Sequence, residues 1–178
     1  GRHDPARPSG GEAVSWRDDR ILLVGQAIGA RAEAERIVRQ IKSGIENIRK
    51  RCQSYPKRRV LLQLGDQPLV AAGGRSFLSE ALEIVGAKNI YADARSAYPR
   101  PTLEDVFRLD PEIILVMAMS HDPRIFQAMA SRWASFPKLQ AVRNHDVRVL
   151  LADAILRPTL RMLEGLAMLE RAIHGKPI

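Results

Sequence analysis

Hydrophobic positions along this chain repeat first with a helical period and then in short blocks. Between Ile21 and about Cys52, the residues Ala34, Ile37, Ile41, Ile45 and Ile48 recur at three- and four-residue steps. That spacing places them on one face of a long amphipathic helix. Roughly 22 residues at about 1.5 Å each make a rod of about 33 Å, long for a small domain. After Pro56 the pattern shortens. "RRVLLQL" (Arg58–Leu64) predicts a strand, and "GRSFLSEALEIVG" puts Phe77, Leu78, Ala81, Leu82 and Val85 on a helical face that Gly86 terminates. "NIYA" (Asn89–Ala92) predicts a short strand, and "PTLEDVFRLD" a helix with Thr102 as N-cap and Asp105 three residues on. The rest follows as a strand in "EIILVM", a helix in "HDPRIFQAMASRW", a strand in "DVRVLL" (Asp146–Leu151) and a last helix in "RPTLRMLEGLAMLERAI". The fold class is therefore α/β: a long N-terminal helix, then a mostly parallel sheet of about four strands with helices on both faces.

The same pattern divides the chain into a tail at residues 1–19, rich in Gly, Pro, Arg and Ser, a helical region at 20–52 and an α/β unit at 53–178. With 46% hydrophobic residues among 178, the chain can bury the core of one ordinary domain. The densest apolar run, "EIILVMAM" (Glu112–Met119), fits a buried strand and is too short to span a bilayer. The first residues, "GRHDPARPSGGEAVSW", hold no apolar segment of the signal-peptide kind. A single cysteine, Cys52, allows neither an internal disulfide nor a cysteine metal cluster. The net charge of +8 raises nucleic acid as a partner. The basic residues are spread out, however, and the one dense run, "RKRCQSYPKRR" (Arg49–Arg59), lacks the interleaved aromatics of a single-strand binder. Nucleic acid is not the expected partner, and a small basic nucleic-acid-binding α/β domain stands as the alternative from another class.

In open α/β sheets, ligands bind beyond the carboxyl ends of the strands. Four predicted loops lie there: Gly65–Arg75, Asp93–Pro101, Met119–Asp122 and Ala152–Pro158. Catalytic motifs are missing, for no G-x-S-x-G, G-x-x-x-x-G-K-[ST] or G-x-G-x-x-G occurs. Gly73–Gly74 reads either as an anion-holding turn or as a simple tight turn. His3, His121, His145 and His174 have no metal-ligand spacing. "SHDP" (Ser120–Pro123) reads as a helix N-cap, since adjacent residues rarely face one another as a triad must. An enzyme is not expected, and neither a catalytic cofactor nor a protein-bound metal is implied.

One loop stands out. In "SAYPRPTLEDV" (Ser96–Val106), Tyr98 sits between stiffening prolines just ahead of the helix start at Thr102 and Glu104. Together with "GQAIGARAEAERI", "GGRSFLSEALEIVGAKNIYAD", "YPRPTLEDVFRLDPEIILV", "LQAVRNHDVRVLLAD" and "LRPTLRMLEGLAML", in that order, the chain resembles the C-terminal lobe of the class III periplasmic binding proteins. In these, one long rigid helix joins two lobes. The resemblance runs over about residues 21–174.

The resemblance implies a substrate-binding component of an ABC importer that captures a metal chelate and delivers it to a permease and its ATPase. It implies cobalamin or a related corrinoid first, ferric siderophore second and haem third. In the cobalamin receptors, which look most similar, a loop aromatic before a proline contacts the corrin, matching Tyr98. A glutamate that follows docks onto permease arginines, matching Glu104. An Asp and an Arg before the last helix face the ligand, matching Asp153 and Arg157. The expected location is periplasmic, or lipid-anchored outside the cytoplasmic membrane and peripheral to it. Two features depart from the family. It carries an equally large N-terminal lobe, whereas about 20 residues precede the helical region here, so the expectation is a truncated piece of a two-lobed protein. It also places a proline before the arginine of the final helix, where this chain has Leu160 before Arg161.

Overall fold

A computed structural model describes residues 22–118, 122–151, 155 and 161–175. A short helical stretch at 22–27 ends in a turn at Gly29, whose φ is +73°. The long helix α1 follows, Arg31–Cys52, with Ala34, Val38, Ile41, Ile45, Ile48 and Cys52 buried along one stripe. The chain then forms β1 (Arg59–Asp66), β2 (Leu69–Ala71), α2 (Phe77–Ile84), β3 (Lys88–Asn89), α3 (Leu103–Leu109), β4 (Ile113–Ala118) and α4 (Pro123–Ser131). A 3-10 turn (Arg132–Ser135), a single turn α5 (Gln140–Arg143), β5 (Val147–Leu151) and α6 (Arg161–His174) complete it.

The strands lie in the order β2-β1-β4-β5, with β3 also beside β1. β1, β3, β4 and β5 run parallel, and β2 alone is antiparallel to β1. Successive side chains of a strand point to opposite faces. Val60, Leu62, Ile113, Leu115 and Met117 therefore pack under α1, α2 and α6. Leu61, Ile114, Val116 and Ala118 pack under α3, α4, the 3-10 turn and α5. All six residues of β4 are buried, as a central strand covered on both faces requires.

Two local expectations change, and one open reading closes. The Gly65–Arg75 loop is instead a hairpin, in which β2 returns along β1 from a turn at Gln67–Pro68. The "NIYA" strand shrinks to Lys88–Asn89, because the Asn89 side chain accepts from the Tyr91 backbone N–H at 3.0 Å and bends the chain into a turn. Gly73–Gly74 forms the tight turn, closed by Ser76 N donating to Gly73 O at 2.9 Å. A β-carbon on Gly74 would collide with the Ala92 carbonyl, and one on Gly73 with that of Ser96, so this pair permits a close backbone approach.

Candidate functional site

The carboxyl end of the sheet is where β1, β4 and β5 stop, at Asp66, Ala118 and Leu151. The Tyr98 loop reaches this end by pairing with the hairpin. Gly73 N donates to Ala97 O at 2.9 Å and Ala71 N to Pro99 O at 3.0 Å, so the backbone on both sides of Tyr98 is tied to β2. Behind it, the buried Asn89 amide donates to Ala72 O at 2.9 Å and to Ser79 Oγ at 3.0 Å, pinning the root of the loop to β2 and α2. The result is a rigid frame with an open side chain: Tyr98 is 60% exposed. Arg100 beside it is also exposed.

Helix α3 starts from this loop through a complete capping box. Thr102 Oγ1 accepts from Asp105 N at 3.2 Å, and the Asp105 carboxylate accepts from Thr102 N at 3.4 Å. The Arg108 guanidinium, and after it the Thr102 backbone, hold the Asp105 carboxyl below its ordinary range. Glu104, one residue earlier, is exposed, with no hydrogen bond or ion pair among the described residues. Beneath the loop the Tyr91 hydroxyl is buried without a partner, and desolvation, with the Asp105 charge, pushes its pKa up to about 12.

Between the hairpin and α3 lies a cleft of about 290 Å³, lined by Asp66, Gln67, Leu69, Pro101, Leu103, Met129, Arg132, Trp133 and Phe136. Arg132 forms an ion pair with Asp66 across it. Trp133 Nε1 donates to the buried Gln63 at 2.7 Å, which in turn donates to Gly65 O at 3.2 Å.

Tyr98 and Glu104 thus sit at the two ends of one short segment, while Asp153 and Arg157 lie outside the described residues. So do His3, Ser120 and His121, the Met119–Asp122 loop apart from Asp122, and the Ala152–Pro158 loop apart from Ile155. Asp122 is the helix cap expected of it, accepting from Arg124 N at 3.0 Å. His145 is exposed in a turn, and His174 packs on Tyr55 with its Nε2 2.7 Å from Val85 O. No cluster of metal-ligating side chains occurs among the described residues. Cys52 is buried, and desolvation, then Glu170, raises its thiol to about 11, which leaves it unreactive. Asn89, Gln63 and the Arg132–Asp66 pair were not singled out from the sequence. Only the apolar context of Asn89 and Gln63, between residues of buried strands, could have flagged them.

A family model described as periplasmic binding protein matches residues 11–154. The chain belongs to the periplasmic binding protein family. That family consists of substrate-binding transport proteins rather than enzymes. Among curated relatives, the vitamin B12-binding protein of Vibrio parahaemolyticus is 27% identical over 137 residues, covering 76% of this chain and 47% of the relative. An uncharacterized ABC transporter substrate-binding lipoprotein of Bacillus subtilis, YvrC, is 26% identical over 158 residues, covering 86% of this chain and 48% of the relative. The chain thus spans about half the length of the curated relatives it matches. An ABC transporter substrate-binding protein from Listeria monocytogenes shares the fold at a TM-score of 0.79 and 18% identity, over 89% of this chain and 64% of that one. An ABC-type Fe3+-hydroxamate transport system structure from Saccharomonospora viridis gives 0.75 and 23%, over 88% and 55%. None of the helices among the described residues is long and apolar enough to cross a membrane.

Proposed function

We propose that this periplasmic binding protein chain forms the C-terminal, cargo-facing lobe of a substrate-binding component of an ABC importer. Its cargo is cobalamin or a related corrinoid, which it hands to a membrane permease driven by an ATPase outside the cytoplasmic membrane. The observation that carries the choice of cargo is the match of three quarters of the chain to a vitamin B12-binding protein. The geometry agrees with it. A flat aromatic side chain on a stiff, hydrogen-bonded loop suits a broad macrocycle, because little loop entropy is lost when the ring is covered. Tyr98 is the platform, and Asp153 with Arg157 supplies polar contacts to the periphery of the cargo. Glu104 faces the permease, where a rim charge sets orientation and association rate.

A ferric hydroxamate is the second reading, favoured by the likeness to the Saccharomonospora viridis structure. Calorimetry of the full-length protein with cyanocobalamin, a ferric hydroxamate siderophore and haemin separates them. Tight, salt-insensitive binding of cyanocobalamin alone is the expected result. Tighter binding of the ferric hydroxamate replaces the cargo and leaves the lobe assignment in place. Affinity for DNA that collapses with salt, with no binding of any of the three chelates, overturns the reading.

A further inference from the structure

We propose that the cleft between the β1–β2 hairpin and α3 is a socket for one large apolar side chain of the permease, set beside a basic permease residue that meets Glu104. This rests on the docking reading of Glu104 above. Small-molecule pockets typically run from about 300 to 1,000 Å³. At about 290 Å³ this cleft lies at the lower edge of that range and is of a size to take one anchoring side chain. Its walls are apolar through Leu69, Leu103, Met129, Trp133 and Phe136. Its two charged residues, Asp66 and Arg132, are already paired with each other, so an apolar guest strands no charge.

The socket is preformed. Trp133 is held by its hydrogen bond to Gln63, and Phe136 packs edge-on against both Trp133 and Phe107, at 5.9 and 5.7 Å. A guest therefore meets a shape that needs little ordering, the condition under which buried anchors dominate an interface. Around it, α3 leaves unsatisfied groups of two kinds. Leu103 and Phe107, one helical turn apart, are 44% and 37% exposed. Glu104 is a carboxylate without a partner among the described residues, whereas Asp66 and Asp105 both have arginines. The complement of that surface is an apolar anchor next to a cation.

The test uses full-length binding protein and the cognate permease–ATPase complex in lipid nanodiscs, with affinity read by interferometry and cargo affinity by calorimetry. Leu103→Asp puts a charge on the socket rim at an exposed first-turn position, where an acidic residue is well tolerated by the helix. Leu103→Ser removes the apolar group without adding charge. Both are expected to weaken permease binding tenfold or more, while cargo affinity stays within twofold. If both bind the permease as wild type does while Glu104→Gln weakens it, the socket is wrong and the docking reading stands. If Glu104→Gln also binds normally, the docking reading falls and the socket with it. If wild-type protein self-associates through this face and Leu103→Asp abolishes only that, the occupant is a second copy and the proposal is overturned.

Discussion

The two ends of the sheet differ in how many of their polar side chains are tied up. At the amino end, carboxylates are matched to guanidinium groups that also bind backbone. Asp146 is buried between Arg58, at 2.5 Å, and Arg148, and Arg58 reaches on to Ile173 O at 3.1 Å. Arg59 joins Glu112, Leu109 O and Gln140, and Arg51 grips Glu170 with two hydrogen bonds at 2.8 and 2.5 Å. These contacts lock α1, α6, β1 and β5 together. At the carboxyl end, Tyr98, Arg100 and Glu104 are exposed and make no side-chain contacts of this kind among the described residues. The backbone on either side of Tyr98 is nonetheless held, Ala97 O by Gly73 N and Pro99 O by Ala71 N. Charges at the amino end are paired across distant elements, whereas at the carboxyl end Asp66 and Asp105 keep arginine partners while Tyr98, Arg100 and Glu104 present open side chains.

The sharpest way to break this contrast is Asp146→Ala. It leaves Arg58 and Arg148, each about one-fifth exposed, facing one another without the carboxylate. Removing one partner of a buried ion pair costs about 3–5 kcal/mol. We expect about 3 kcal/mol here by urea unfolding, the low end because both arginines reach water. A loss under about 1 kcal/mol, the value for surface pairs, would mean that the amino end is no more locked than any exposed face.

A smaller effect comes from Glu170. Its hydrogen bonds with Arg51 hold its carboxyl below the ordinary value of 4.5. A carboxyl depressed in the folded state adds stability above its unfolded pKa, and that stability is lost as pH falls through the folded one. Wild-type protein should therefore lose stability below about pH 4.5. Because the Arg51 side chain is half exposed, water screens the pair, and we expect its share to be about 1 kcal/mol. Urea unfolding at pH 7 and pH 3, compared with Arg51→Met, isolates that share. The variant should lose about 1 kcal/mol less on acidification, and equal losses would remove Arg51–Glu170 from the lock.

Much of this was legible because it is local. The helical period placed α1, and the Thr102–Asp105 spacing announced a capping box that is complete in the fold. What stayed hidden depends on residues far apart in the chain. β2 has three residues, too few to show a period. The glycine pair is explained only by segment 92–96, and Arg51–Glu170 spans 119 positions. At the site, residue chemistry alone made Tyr98 a stiffened aromatic and Glu104 a favourable first-turn charge. Their division between cargo and permease came from the family resemblance.

That division makes the smallest effect on stability the most informative. Tyr98 packs little, and its neighbours are held through backbone atoms that alanine keeps: Gly73 to Ala97 and Ala71 to Pro99. Tyr98→Ala should therefore shift unfolding by no more than about 0.5 kcal/mol, as surface substitutions usually do. In the full-length protein it should weaken cargo binding tenfold or more by calorimetry, with permease affinity of the cargo-loaded protein unchanged. Glu104→Gln should give the mirror result, normal cargo binding and weakened permease binding, because Glu104 is an exposed residue of the helix that begins after the Thr102 cap and not part of the loop that carries Tyr98. If either variant loses both activities equally, the segment acts as one contact, and the carboxyl end is not split between cargo and transporter.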